Sequence, residues 1–169
     1  MKQILIINGS GGVGKDTFVD LLGQFVPVKH DSIVNPTKTL AKQIGWDGKK
    51  DERDRKFLAE LKSLIDEYNN YNYKEMENLM SSFLSGNLNC ELLCIDMREK
   101  YQIEKAKNEF GAKTVLVTRN SVEQITSNHA DADVFSVNYD YHIHNDGSLD
   151  DLKETAKKFK EQLENEQQK

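Results

Sequence analysis

The chain alternates short, unbroken apolar runs with longer stretches in which apolar residues return every three or four positions. Lys2 to Asn8 contains the run ILII and leads directly into glycines. Such a run suits a strand buried on both faces of a parallel sheet. From Lys15 the period changes. Phe18, Leu21, Leu22 and Phe25 fall on one helical face, and Val26-Pro27 ends the helix. The opening unit therefore reads strand, glycine turn, helix. Val28 to Val34 predicts a short strand. Asn35-Pro36 predicts a helix start, with Asn as cap and Pro at the first helical position, running to about Ile44 before Gly45.

After the turn GWDGKKDE, a long amphipathic helix is expected, with Phe57, Leu58, Leu61, Leu64, Ile65 and Tyr68 on one face. NNYNY breaks it, and a further helix covers Lys74 to Leu84. Glu91 to Met97, ELLCIDM, reads as a second fully buried strand. IEKAKNEF is helical and stops at Gly111, and Thr114 to Thr118, TVLVT, is a third apolar strand. Ser121 to Val137 carries little pattern and is expected to hold a short helix and a loop. Tyr141 to His144 is the last strand. NDG then turns the chain into a closing helix, with Leu149, Leu152, Ala156, Phe159 and Leu163 inward. Strands alternating with helices predict an α/β fold: a three-layer parallel sheet of about five strands with helices on both faces.

Composition narrows the reading. The 169 residues suit one domain, large enough to bury a core without disulfide or metal. A net charge of −5 argues against a broad nucleic-acid footprint, so an anion site must come from local geometry and a few placed cations. Cys90 and Cys94 lack a second pair to complete a zinc site and read as thiols in or beside a buried strand. KQILIIN is too short for a signal core, and no apolar run reaches the roughly 18 residues of a membrane span. The expectation is a reducing compartment, most simply the cytoplasm, with no membrane partner. Nothing in the sequence sets an oligomeric state.

The chemistry gathers at NGSGGVGKDT. Gly9, Ser10, Gly11, Gly12, Val13, Gly14 and Lys15 have the spacing G-x-x-x-x-G-K, after an apolar strand and at a helix start. Loop amides can converge on a phosphate at that helix N-terminus, where the dipole favours negative charge. Lys15 would reach the outer phosphates. The next residue should carry a hydroxyl, yet it is Asp16, with the hydroxyl at Thr17. A carboxylate beside phosphates is repelled unless a divalent cation lies between them, and magnesium accepts carboxylate oxygens directly or through water. Asp16 is thus a candidate metal ligand, its plainer role being a helix cap. Thr17 still offers hydroxyl and amide to an inner phosphate. Asp96, ending LLCID, stands where phosphate-loop enzymes place a metal-orienting Asp.

These residues resemble the bacteriophage-type deoxynucleoside monophosphate kinases and their bacterial relatives, in which GKDT follows the glycine loop; animal phosphomevalonate kinases share the Gly-Lys-Asp variation. IVNPTK looks like that family's FADPLK segment. CIDMREKYQIEKAKNEFGAKTVLVTR resembles its strand ending in Asp-x-Arg, helix, and strand ending in Arg. YDYHIHNDGSLDDL resembles its closing strand, turn and helix. Together the segments cover well over half the chain. The resemblance implies a phosphate-loop (P-loop, Walker A) fold of the nucleoside-monophosphate-kinase type. It also implies phosphoryl transfer from ATP, with Mg2+, to a small phosphorylated acceptor such as a (deoxy)nucleoside monophosphate. It places Lys38 near the acceptor and Arg98 on the acceptor phosphate. Arg119 would face the transferring phosphate, and Asn145 to Gly147 would lie near the adenine. The acceptor would lie between the helices of residues 36–84 and Arg98, under a short lid at 120–138.

Among the remaining residues, Arg53, Arg55 and Lys56 begin the long helix, and Arg55 is a candidate acceptor contact. His142 and His144 share a strand face without an evident third metal ligand, and His129 falls in the lid region. Trp46 and Tyr68 to Tyr73 could stack on a base, though core packing is their commoner use. The lid departs from the family: Asn120 to Asp151 contains no Lys or Arg. Transferring charge needs cations, so a nucleotide-binding module with weak or no kinase activity is the alternative reading. A guanine-nucleotide switch is disfavoured, since no Asn-Lys-x-Asp string occurs.

Overall fold

The computed structural model describes residues 2–49, 51–122 and 133–167. Its centre is a five-stranded sheet in the order β2-β3-β1-β4-β5. The strands are β1 (Gln3–Asn8), β2 (Val28–Ser32), β3 (Leu92–Asp96), β4 (Lys113–Thr118) and β5 (Tyr141–His144). Every neighbouring pair is parallel. The helices are α1 (Lys15–Leu22), α2 (Asn35–Gln43), α3 (Glu52–Asn69), α4 (Tyr71–Leu84), α5 (Lys100–Phe110) and α6 (Leu149–Gln167), with a 3-10 turn at Asp133–Ser136.

The apolar runs are continuous because both sheet faces are covered. Leu5, Ile7, Leu92, Cys94, Val115 and Val117 point into one core, against Phe18 and Leu22 of α1 and Leu152, Ala156 and Phe159 of α6. Ile4, Ile6, Leu93, Ile95 and Leu116 point into the other, against Tyr73, Met76, Met80 and Phe83 of α4 and Ile103 and Ala106 of α5. Each fully buried large side chain contributes about 1.5–3 kcal/mol. Phe18 meets Phe159 with ring centroids 5.7 Å apart, which ties α1, the helix that follows the glycine loop, to α6.

Several expectations are corrected. The expected apolar face of α3 does not form a core: Phe57, Leu58, Leu61 and Ile65 are half-buried, while Leu64 and Tyr68 are exposed. This helix packs against α2 and α4 instead of the sheet. Leu149 is likewise exposed, one turn before the buried stripe of α6. NNYNY does not interrupt the helices over its length. Asn70 alone reverses the chain in the left-handed conformation (φ 57°), and α4 starts at Tyr71 rather than Lys74. Asn35 is the first residue of α2, not its cap; its side chain donates to Asp31 Oδ1 at 2.8 Å. α1 ends at Leu22 and β2 at Ser32, both short of the expected limits. Cys94 is buried in β3 and Cys90 half-buried beside it, both as free thiols. Among the described residues no helix is long and apolar enough to cross a membrane.

Candidate functional site

From β1 the chain runs toward the β2 edge of the sheet and from β3 toward the β5 edge, so the connections of these two neighbouring strands leave in opposite directions at the β1–β3 boundary. Open α/β sheets bind ligands at such a point, beyond the carboxyl ends of the strands. The glycine loop stands there, between β1 and α1. Gly9 (φ +143°) and Gly14 (φ +92°) adopt backbone that side chains rarely tolerate, and a Cβ would strike Val117 O at Gly9 and Asn145 Nδ2 at Gly14. Asn8 accepts the Gly9 amide at 2.8 Å and donates to Tyr139 Oη at 2.8 Å, and Tyr139 donates to Val134 O at 2.6 Å. Burial pushes the Tyr139 hydroxyl up to about 12, so it remains a donor. Lys15 Nζ donates to Gly9 O at 2.8 Å and Ser10 O at 3.0 Å, holding the ammonium over the loop.

Two clefts flank the loop. The larger, of about 1010 Å³, brings Gly11, Gly12, Lys15 and Asp16 together with Asp96, Lys38, Arg55 and Arg98. The smaller, of about 320 Å³, is lined by Gly9, Ser10, Val13, Arg119, Asn120 and His144. The sequence candidates thus divide between the two sides of the loop, with Arg98 in one cleft and Arg119 in the other. Thr17 is exposed at the start of α1. Asn145 is buried, and its amide holds Val13 O from beneath the loop. Gly147 precedes α6, where a Cβ would stand 2.6 Å from the Asp151 carboxylate. That carboxylate is held low by the Ser148 hydroxyl and amide, which donate to it at 2.7 and 2.8 Å. Residues 123–132 of the expected lid, including His129, lie outside the described residues.

A side-chain network backs the wall of the larger cleft. Asn72 and Thr37 are fully buried; Asn72 Oδ1 accepts from the Thr37 amide and hydroxyl at 3.0 and 2.8 Å. Asn72 in turn donates to Asp66, which pairs with Lys62 at 3.0 Å. Lys62 also reaches Glu99 at 2.8 Å. Burial disfavours the Lys62 charge, but Glu99 and Asp66 outweigh it and raise its pKa, so the cleft keeps this ammonium. The network ties α2, α3 and α4 to the start of α5.

Three residues here escaped sequence reasoning: Lys62, Gln102 and His30. Gln102 is fully buried and lines the larger cleft. Its Nε2 donates to Tyr101 Oη at 3.0 Å, and its Oε1 is buried with no hydrogen-bond partner among the described residues. It sits in the first turn of α5, and no sequence signal marked it. His30 on β2 lies beside Asp96, with Nε2 3.3 Å from Oδ2. Contact with Asp96 raises its pKa against the opposing effect of burial, and Asp16 and Asp20 add to the rise. The ligand atoms of Asp16, His30 and Asp96 all lie within 4.8 Å of one another. Of the aromatic candidates, Tyr73 is core, Trp46 Nε1 donates to Asp54 Oδ2 at 3.0 Å, and Tyr68 is exposed. His142 and His144 are exposed on β5, and His144 Nδ1 lies 2.9 Å from Thr118 Oγ1.

No family model and no curated protein matches the sequence. Solved structures do match in shape. TT1252 from Thermus thermophilus is 18% identical, with a TM-score of 0.55, over 96% of this chain and 98% of its own. Shikimate kinase from Aquifex aeolicus is 12% identical, with a TM-score of 0.51, over 97% and 98%. A protein from Chloroflexus aurantiacus is 11% identical, with a TM-score of 0.55, over 97% of both chains. The fold, a five-stranded parallel sheet with helices on both faces, is therefore shared with these solved structures.

Proposed function

We propose that the protein is a small-molecule kinase that moves the terminal phosphoryl group of ATP to a phosphorylated acceptor, a (deoxy)nucleoside monophosphate fitting best. One observation carries this reading: the glycine loop and Lys15 open onto a cleft whose walls also carry Lys38, Arg55 and Arg98. One polyanion can rest on the loop while a second is held opposite it.

In this reading the loop amides and Lys15 hold the outer phosphates of the donor at the N-terminus of α1, and Thr17 serves an inner phosphate. The smaller cleft, with Arg119, takes the rest of the donor, and Asn145 keeps the loop in shape. Arg98 and Lys38 grip the acceptor phosphate, assisted by Arg55. Gln102 offers its buried carbonyl to a donor on the acceptor's base. Asp16 and Asp96 would hold a divalent cation, Mg2+ in the family resembled. Their fit is supported by Asp96 Oδ1, a buried acceptor without a hydrogen-bond partner among the described residues. Such a cation supplies charge neutralisation between phosphate oxygens. An acceptor phosphate oxygen then bonds to the γ-phosphorus in line as the bond to the bridging oxygen of ADP breaks. Positioning and charge stabilisation do most of this catalysis, without a covalent intermediate.

The cation-free sequence from Asn120 to Asp151 favours a second reading, a module that binds nucleotide with little or no turnover. Coupled ADP release over a panel of nucleoside monophosphates separates the two. Acceptor-dependent turnover supports the kinase; ATP binding without it supports the module.

A further inference from the structure

Asp16, His30 and Asp96 come from three elements: the first turn of α1, the middle of β2 and the end of β3. They meet because β2 and β3 pair in parallel, with His30 opposite Cys94 and Ser32 opposite Asp96. Cys94 points toward α1, and His30 and Asp96 lean to the same side, where α1 begins. Asp96 Oδ1 is shielded from solvent and lacks a hydrogen-bond partner among the described residues, while His30 Nε2, equally shielded, faces Asp96 Oδ2 at 3.3 Å. Buried polar atoms without partners cost free energy unless something completes them.

The spacing suits a single ion. Donors at adjacent corners of an octahedron with bonds of about 2.1 Å stand about 3.0 Å apart, and opposite donors about 4.2 Å. His30 Nε2 and Asp96 Oδ2 stand 3.3 Å apart, and the whole set lies within 4.8 Å, which small side-chain rotations close.

The donor set also selects among cations. Magnesium is hard and favours oxygen, whereas imidazole suits first-row transition metals, whose affinity for nitrogen-containing sites exceeds that of the hard ions. We infer that His30 is a third protein ligand of the cation site, so that the site takes a divalent transition-metal ion in preference to Mg2+. The inference rests on the reading that Asp16 and Asp96 hold a cation, and it goes beyond that reading in the identity of the ligand and the ion.

Mn2+ is the probe, bound to the full chain alone and then with ADP, and followed by pulsed electron paramagnetic resonance. Directly bound imidazole nitrogen gives 14N modulations, which change to the 15N pattern when the protein is grown on 15N-histidine. The expected result is this coupling in the native protein and in His142→Gln, and its loss in His30→Gln. Calorimetry should show Mn2+ affinity falling in His30→Gln by at least the roughly 10–100-fold that loss of an outer-shell partner costs, with the nitrogen coupling deciding between direct ligation and orientation of Asp96. Native protein should bind Mn2+ more tightly than Mg2+. Mn2+ bound without nitrogen coupling, or coupling that survives in His30→Gln, would overturn the role of His30 while leaving the carboxylate site intact. His30 would then only orient Asp96. Failure of Mn2+ to bind at all, with or without ADP, would overturn both readings.

Discussion

The side-chain amide of Asn145 donates a 2.9 Å hydrogen bond to the carbonyl of Val13, from 132 residues further along the chain. It lies against Gly14, in the space that a Cβ there would need. The loop's shape is therefore set from outside the loop, by the turn that follows β5. Asn145 is itself held by its backbone N–H, which donates to Thr118 O at 2.8 Å.

This contact predicts that Asn145→Ala lowers ATP affinity by about tenfold, as a buried carbonyl loses its partner at a cost of roughly 1–3 kcal/mol and the loop relaxes. Gly14→Ala should be worse, since strain at a positive φ adds to the collision. Calorimetric titration of ATP into the two variants checks both the direction and the order.

Gln102→Leu keeps the volume but removes the buried carbonyl from the larger cleft. The expected outcome is a rise of roughly 10–100-fold in KM for the preferred monophosphate, with discrimination between bases reduced and the ATP affinity unchanged. The thermal midpoint should not fall, because a buried acceptor without a partner has been replaced by an apolar group. Steady-state kinetics over several monophosphates, with parallel melting curves, tests the pair of effects.

Asp140 gives a pH dependence with a definite sign. Partial burial pushes its carboxyl up, but the Thr114 amide and hydroxyl at 2.8 Å each, with Lys107 at 3.2 Å, prevail and hold it below the ordinary value. The folded state thus prefers the ionised form. This contribution is complete above the unfolded carboxylate range, near pH 4, and is lost as pH falls through the lower folded value. Asp140→Ala should be less stable than native protein at pH 7 by about 1 kcal/mol, a modest figure because water screens the site. The gap should close toward pH 3. Urea midpoints at both pH values provide the check.

How far the sequence reached can be seen element by element. β1, the loop and α1 were legible because ILII is buried on both faces and the glycines at 9 and 14 are sterically demanded. β3 and β4 were legible for the same reason. The inward face of α3 was misread, because periodicity records an apolar stripe without recording what lies against it, and α3 leans on helices rather than the sheet. Asn70 reverses the chain in a single residue, which a run of five turn-favouring letters does not localise. His30 was invisible as a site residue: one histidine in VKHDS becomes part of a cluster only through the β2–β3 register and the position of α1. Lys62 and Gln102 likewise needed the packing of α2, α3 and α4 around the cleft to acquire meaning. The loop residues and Asp96, by contrast, were singled out as candidates from spacing and strand ends alone.

Whether the glycine loop and Lys15 clasp the phosphates of a nucleotide is tested most directly by calorimetric titration of ATP in the presence of Mn2+ or Mg2+, with native protein beside Lys15→Ala. Saturable binding by the native protein, with loss of binding in a Lys15→Ala variant that still melts cooperatively, is the predicted result. Equal ATP affinity in the two proteins, or no binding by the native one, would contradict it.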